Sequence, residues 1–177
     1  MAVASFQPAA VVYREEQNFA WWVYALLVGV ELFLVLILAV VAGDARNHAG
    51  QPHLPVPRDI LALSLTLVPP ALIMVGLLRL TTEVMPSEVR VWFGWIPTYR
   101  RVVPVDLLQR VEVVTYRPVA DYGGWGIRSG RDGERVLNAR GNRGVRLYLS
   151  DGSRLLIGSQ RPEALALALE QAIRPIV

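Results

Sequence analysis

Cysteine and lysine are absent from the 177 residues, and histidine occurs only twice, at His48 and His53. Without cysteine there is no disulfide, thiol nucleophile, iron–sulfur cluster or cysteine-held zinc. The histidines fall in one proline-containing stretch with Asp44 as the nearest further ligand, too thin a set for a structural metal site, so no metal is expected. Ser150, Ser153 and Ser159 have no histidine base in their half of the chain. Gly123 to Gly126 is glycine-rich but lacks the Lys-Ser/Thr ending of a phosphate loop. These absences predict a protein that is not an enzyme and carries no cofactor.

Charge is scarce in two long windows. Phe19 to Ala42 and Ile60 to Leu80 contain one acid, Glu31, and one base, Arg79, between them. A helix needs about 20 apolar residues to cross a bilayer core, so both windows are long enough to span. The first begins after Arg14, Glu15 and Glu16 and is too long for a cleavable signal core. Phe19, Trp21, Trp22 and Tyr24 cluster at its start, where aromatic rings favour the water–lipid boundary. The expected organisation is an N-terminal tail over 1–18, a transmembrane hairpin over 19–80 with a loop at 43–59, and a soluble domain over 81–177.

Arg79, near the end of the second window, and Arg90, Arg100 and Arg101 beyond it lie on the carboxyl side of that span, whereas Arg46 and Arg58 of the loop are offset by Asp44 and Asp59. This arginine bias predicts a multi-pass protein of the bacterial inner (cytoplasmic) membrane with both termini and the soluble domain cytoplasmic. Glu31 lies about midway along the first window, where an ionisable group needs a partner. In an antiparallel hairpin it comes level with Pro69-Pro70, whose missing amides free the carbonyls of Leu65 and Thr66. Glu31 and Thr66 are therefore expected to form an intramembrane polar contact, within the chain or to a neighbouring helix.

After Leu80 the apolar period becomes two. Val89, Val91 and Phe93 alternate with Arg90 and Trp92; Val111, Val113 and Thr115 repeat the pattern, as do Val145, Leu147 and Leu149 around Arg146 and Tyr148. Pro104 to Asp106, Gly130 to Gly133, Gly141-Asn142 and Asp151-Gly152 supply turns between them. Leu165, Leu169 and Ile173 then recur every four residues between Pro162 and Pro175, predicting one closing helix. The fold class expected is an α+β membrane protein: a two-helix hairpin followed by an antiparallel barrel or sandwich capped by a C-terminal helix.

Tyr122 to Arg128 (YGGWGIR), Gly141 to Val145 (GNRGV), Asp151-Gly152 and Ile157 to Pro162 (IGSQRP), ahead of the Ala/Leu-rich helix, resemble the bacterial pleckstrin-homology-like domains of small two-span membrane proteins. The resemblance covers roughly Leu80 to Arg174. The expected seven or so strands, closing helix and preceding hairpin match such proteins, and the resemblance implies a non-catalytic module that binds proteins, peptides or membrane surfaces. The acidic turn Met85 to Glu88 departs from the basic first strand pair of phosphoinositide-binding members.

The split of charge indicates where binding belongs. Four arginines and five acids precede Thr81; fourteen arginines and ten acids follow it. The densest cluster holds Arg128, Arg131, Arg135, Arg140, Arg143 and Arg146. Guanidinium groups pair with carboxylates at protein interfaces and are drawn to anionic membrane surfaces. The candidate partner- or headgroup-binding residues are Trp92, Arg128, Arg140, Arg143, Arg146 and Tyr148; Trp125, among glycines, is expected in the core. No nucleic-acid recognition motif is present. The expected function is an accessory or scaffold subunit of a larger membrane complex, a respiratory or photosynthetic one being a conceivable host, with other integral membrane subunits as partners. The alternative is a free membrane-surface sensor recognising anionic lipid headgroups or an extended peptide.

Overall fold

The computed structural model describes residues 11–49, 57–130 and 132–174, without the side chains of 42–49, 57–64 and 75. Its first element corrects the expected tail. Tyr13–Asn18 (β1) is a strand; it precedes the helices Trp21–Ala49 (α1) and Pro57–Leu77 (α2), after which the chain continues as Arg79–Val84 (β2). β1 and β2 pair antiparallel from Tyr13 opposite Val84 to Asn18 opposite Arg79. The helical pair is thus an insertion between two neighbouring strands of one sheet. The alternation that marks a strand is inverted in β1, where Glu15 and Gln17 face inward and the exposed Arg14 and Glu16 face out, so hydrophobicity gave no signal there.

The helix limits also differ from the expected windows. α1 continues through Ala49, because the first proline after Phe19 is Pro52 and nothing earlier breaks the helix; residues 43–49 of the expected loop are helical. α2 starts on Pro57, at a first position that needs no amide, and its assignment runs through Pro69 and Pro70. It ends at Leu77, so Leu78 to Leu80 belong to the sheet side of the boundary. Among the described residues one helix, α1, is long and apolar enough over Trp21–Val41 to cross a membrane, and α2 has a shorter apolar stretch, Leu65–Met74.

Glu88–Phe93 (β3) and Tyr99–Pro104 (β4) complete a four-stranded antiparallel sheet ordered β1-β2-β3-β4. The short 3-10 turn Val105–Leu107 carries the chain to a second sheet. This contains Leu108–Thr115 (β5), Gly126–Ser129 (β6), Arg135–Asn138 (β7), Arg143–Leu149 (β8) and Arg154–Gly158 (β9), ordered β5-β8-β9-β7-β6. Pro118–Tyr122 (α3) lies between β5 and β6, and Pro162–Ile173 (α4) closes the domain. The two sheets do not close into a barrel, since the turn after Pro104 steps from one to the other instead of pairing β4 with β5. Nor is the second sheet purely antiparallel: β9 inserts between β8 and β7 and runs parallel to β7.

Leu80, Val84, Val89, Val91, Phe93 and Val103 of the first sheet meet Leu137, Val145, Leu147, Leu155 and Ile157 of the second in one core. Leu165 and Leu169 of α4, fully buried as their four-residue spacing requires, complete it. Each such side chain contributes roughly 1.5–3 kcal/mol of burial. β5 departs from the expected pattern: its register shifts between Leu108 and Arg110, and Val113 is 39% exposed while Val111 packs on the core. A second cluster, Tyr116, Val136 and Leu156 with Val114 and Tyr122, covers part of the other face of the second sheet.

Candidate functional site

The arginine cluster does not form one field of free charge. Arg146 on β8 donates through Nε to Glu134 Oε1 at 2.6 Å, and Tyr122 donates to Glu134 Oε2 at 2.8 Å. Burial opposes the charge on Arg146, but the hydrogen bond and attraction of Glu134 outweigh it and raise its pKa. Burial, then Glu134, likewise raises the Tyr122 pKa. Arg143 pairs with Glu163 at the start of α4. Arg128 donates to the Trp125 carbonyl at 3.0 Å. Arg140 is exposed, and its guanidinium makes no ion pair among the described residues. Arg131 lies outside the described residues.

Tyr148 donates to Glu112 at 2.7 Å, with the Arg110 guanidinium 5.1 Å from its ring. Trp92 is half-buried on the outward face of β3, opposite Thr81 of β2 and Arg100 of β4. The six predicted contact residues are thus scattered over both sheets and the loop between β7 and β8, and three of them, Arg143, Arg146 and Tyr148, are engaged with acids of the chain.

Beside Arg146 lies a polar cleft of about 470 Å³. Its charged lining resolves into pairs: Arg146 with Glu134, Arg117 with Asp121 at 3.3 Å and Arg154 with Asp132 at 3.2 Å. Each guanidinium already has a carboxylate, so the cleft offers little net charge to an anion.

A polar cluster missed by sequence reasoning lies under β1. Glu15, 4% exposed, accepts from Tyr13 Oη at 2.7 Å, Ser159 Oγ at 2.6 Å and the Gln160 amide at 2.7 Å. Gln17 donates to the Gly158 carbonyl at 2.8 Å. These contacts bind β1 to the segment joining β9 and α4 and give the IGSQRP residues their role. At Gly158 an added Cβ would come within 2.7 Å of Asn138 Cβ, so only glycine fits. Ser159, enclosed and committed to Glu15, is not poised as a nucleophile.

The base of the helical pair is equally interlocked. Phe19 and Ala20 are all that separate β1 from α1, and Leu78 alone separates α2 from β2. The Phe19 amide and the Tyr24 hydroxyl both donate to the Leu78 carbonyl, at 3.3 and 2.9 Å. Arg79 pairs with Glu16, and the hydrogen bonds of Arg14 and then Arg79 lower the Glu16 pKa. Trp125 is not a core residue: half-buried, it packs edge-on against Trp22 with centroids 6.0 Å apart and donates to the Gly141 carbonyl. Glycines gave it the room expected of a core residue, but that room brings its ring to α1.

Within the helical pair both carboxyl oxygens of Glu31 are buried without a hydrogen-bond partner among the described residues, so the expected hydrogen bond to Thr66 does not form. Thr66 instead lines an apolar groove of about 470 Å³ with Leu34, Leu38, Leu65 and Pro69. The side chain of His48 is not described, and His53 lies outside the described residues. Among the described residues no group of His, Cys, Asp or Glu is assembled to hold a metal. No protein-family model matches the chain, and no curated protein matches it.

Proposed function

We propose that the chain is a non-catalytic accessory or scaffold subunit of a larger membrane protein complex. Its helical pair spans the bacterial inner membrane as a hairpin, and its two-sheet domain, of pleckstrin-homology-like character, stands on the cytoplasmic side with both termini. The carrying observation is the unbroken register from Tyr13–Val84 to Asn18–Arg79 across the base of the inserted helices. With two residues on one side of the insertion and one on the other, helix placement fixes domain placement. A scaffold needs that rigidity; a sensor on a flexible tether does not. Cleavage after α1 would remove β1 from its sheet, which argues for a retained span over a signal sequence.

The partners fitting this role are integral membrane subunits, for which Leu32, Phe33, Leu36 and Val40 are exposed apolar side chains along α1. Headgroup binding receives less support, because Arg143 and Arg146 already hold Glu163 and Glu134. The test is purification of the full chain in mild detergent followed by mass analysis. The expected result is stoichiometric recovery with the same large membrane proteins. Recovery of the chain alone, with salt-sensitive binding to anionic vesicles, would replace the scaffold by a surface sensor. The full chain is required: a fragment starting at Thr81 lacks β1 and its Glu15 contacts.

A further inference from the structure

We propose that the turn between β3 and β4, Gly94 to Thr98, is a second membrane anchor, with Trp95 and Ile96 seated in the interfacial layer of the bilayer that α1 crosses. The proposal rests on the membrane-spanning role of the helical pair and adds a contact by the folded domain itself.

The turn is held at the level where the helices leave the sheet. Thr98 Oγ1 donates to the carbonyl of Gly76, in the last turn of α2, at 2.6 Å. The Gly94 amide donates to the Arg79 carbonyl at 2.7 Å. Gly94 is required for this approach: its φ is +93°, and an added Cβ would lie 2.1 Å from the Gly76 oxygen. Since Asn18 pairs with Arg79, the start of α1, the end of α2 and this turn share one end of the domain.

What the turn presents there is unusual for a water-facing loop. Tips of strand hairpins are ordinarily built from Gly, Asn, Asp, Ser and Pro. Here the tip is Trp95-Ile96-Pro97, with Trp95 69% and Ile96 70% exposed. The Arg79 guanidinium lies 4.4 Å from the Trp95 ring centroid and also pairs with Glu16, bracing the indole from the domain side. Trp21 and Trp22 are exposed at the start of α1, and Trp125 packs against Trp22. Four of the five tryptophans therefore gather at this end; Trp92 alone lies along a strand. Tryptophan concentrates at the membrane–water boundary, where its ring is in apolar surroundings and its N–H stays hydrated. The occupant is the bilayer because the patch is continuous with the first turn of α1, whose Trp21–Val41 stretch is long and apolar enough to span and has no fully buried residue.

The absence of native cysteine makes the test direct. Ile96→Cys, Leu34→Cys and Ser87→Cys each place one nitroxide on an exposed position of the full chain, reconstituted in vesicles of mixed phosphatidylcholine and phosphatidylglycerol. Ser87 lies in the β2–β3 turn, six residues of strand, or about 20 Å, from the membrane end. The readout is collision with oxygen, which enriches in lipid, against a water-soluble nickel complex. The oxygen-to-nickel ratio at Ile96 is expected to exceed that at Ser87 at least threefold and to fall below that at Leu34. An Ile96 ratio equal to Ser87, with Leu34 lipid-exposed, would overturn the anchor and leave the span intact. An Ile96 label shielded from both reagents would also overturn it, in favour of a protein partner on the turn. A water-exposed Leu34 label would remove the span itself, and the anchor with it.

Discussion

Glu15 and Ser159 stand 144 residues apart in sequence, yet the serine hydroxyl donates to the glutamate carboxyl across 2.6 Å in a buried site. That contact joins the strand before the helical insertion to the last loop of the domain. Glu15→Ala strands the Ser159, Tyr13 and Gln160 donors, and hydrogen bonds to a charged group contribute about 1.5–3 kcal/mol. The full chain in detergent should lose stability by that order, with Ser159→Ala costing less because two donors remain. Thermal unfolding checks this, and an unchanged midpoint for Glu15→Ala would mean that β1 is not held by this cluster.

Arg146 and Arg140 should behave differently although the sequence groups them together. The Glu134 side chain is 7% exposed and the Arg146 side chain 23%, so Arg146→Gln leaves a buried carboxylate short of its cation and should cost about 3–5 kcal/mol. Arg140→Gln, at an exposed position, should stay within about 0.5 kcal/mol. Any loss of partner or vesicle binding in Arg146→Gln must therefore be compared with its folded fraction, measured by circular dichroism.

Alkaline pH should loosen β1. Tyr13 is pushed up from 10.0 to about 12, first by burial and then by the hydrogen bond and charge of Glu15. The folded chain keeps this proton after the unfolded chain has released it. The stabilisation is complete below pH 10 and is lost as pH rises through about 12. Tyr13→Phe should flatten the decline of the denaturation midpoint in that window. Burial also raises Tyr116 and Tyr122, so part of the slope remains. An equally steep decline in the variant would disconnect Tyr13 from it.

Gly94→Ala should damage the base of the helical pair. A left-handed backbone costs a non-glycine residue about 1–3 kcal/mol, and the new Cβ also meets the Gly76 carbonyl. Limited proteolysis should cut the Gly94–Thr98 turn faster than in the parent chain, whereas Gly152→Ala, strained at φ +81° but with open space around it, should leave that turn as it was.

How much was legible varied with what each element hides. β3, β8 and α4 came directly from period because one face of each is apolar and enclosed: Val89, Val91 and Phe93; Val145, Leu147 and Leu149; Leu165 and Leu169. β1 was invisible because its inward residues are Glu15 and Gln17, whose partners Ser159, Gln160 and Gly158 come from the other end of the chain. The arginine cluster was legible as composition and misleading as a surface, since pairing with Glu134 and Glu163 depends on which strands adjoin.

The sequence by itself determined that an apolar helix starts near Trp21, that a strand-rich arginine domain follows it, and that cysteine- and lysine-based chemistry is absent. Those properties are local: period, run length and composition need no neighbours. Only the tertiary structure decided that the helices interrupt a sheet, that Trp125 reaches Trp22, and that Trp95 and Ile96 lie beside the end of α2. Each depends on strand register, which is set by contacts between residues far apart in the chain and leaves no periodic trace in either partner alone.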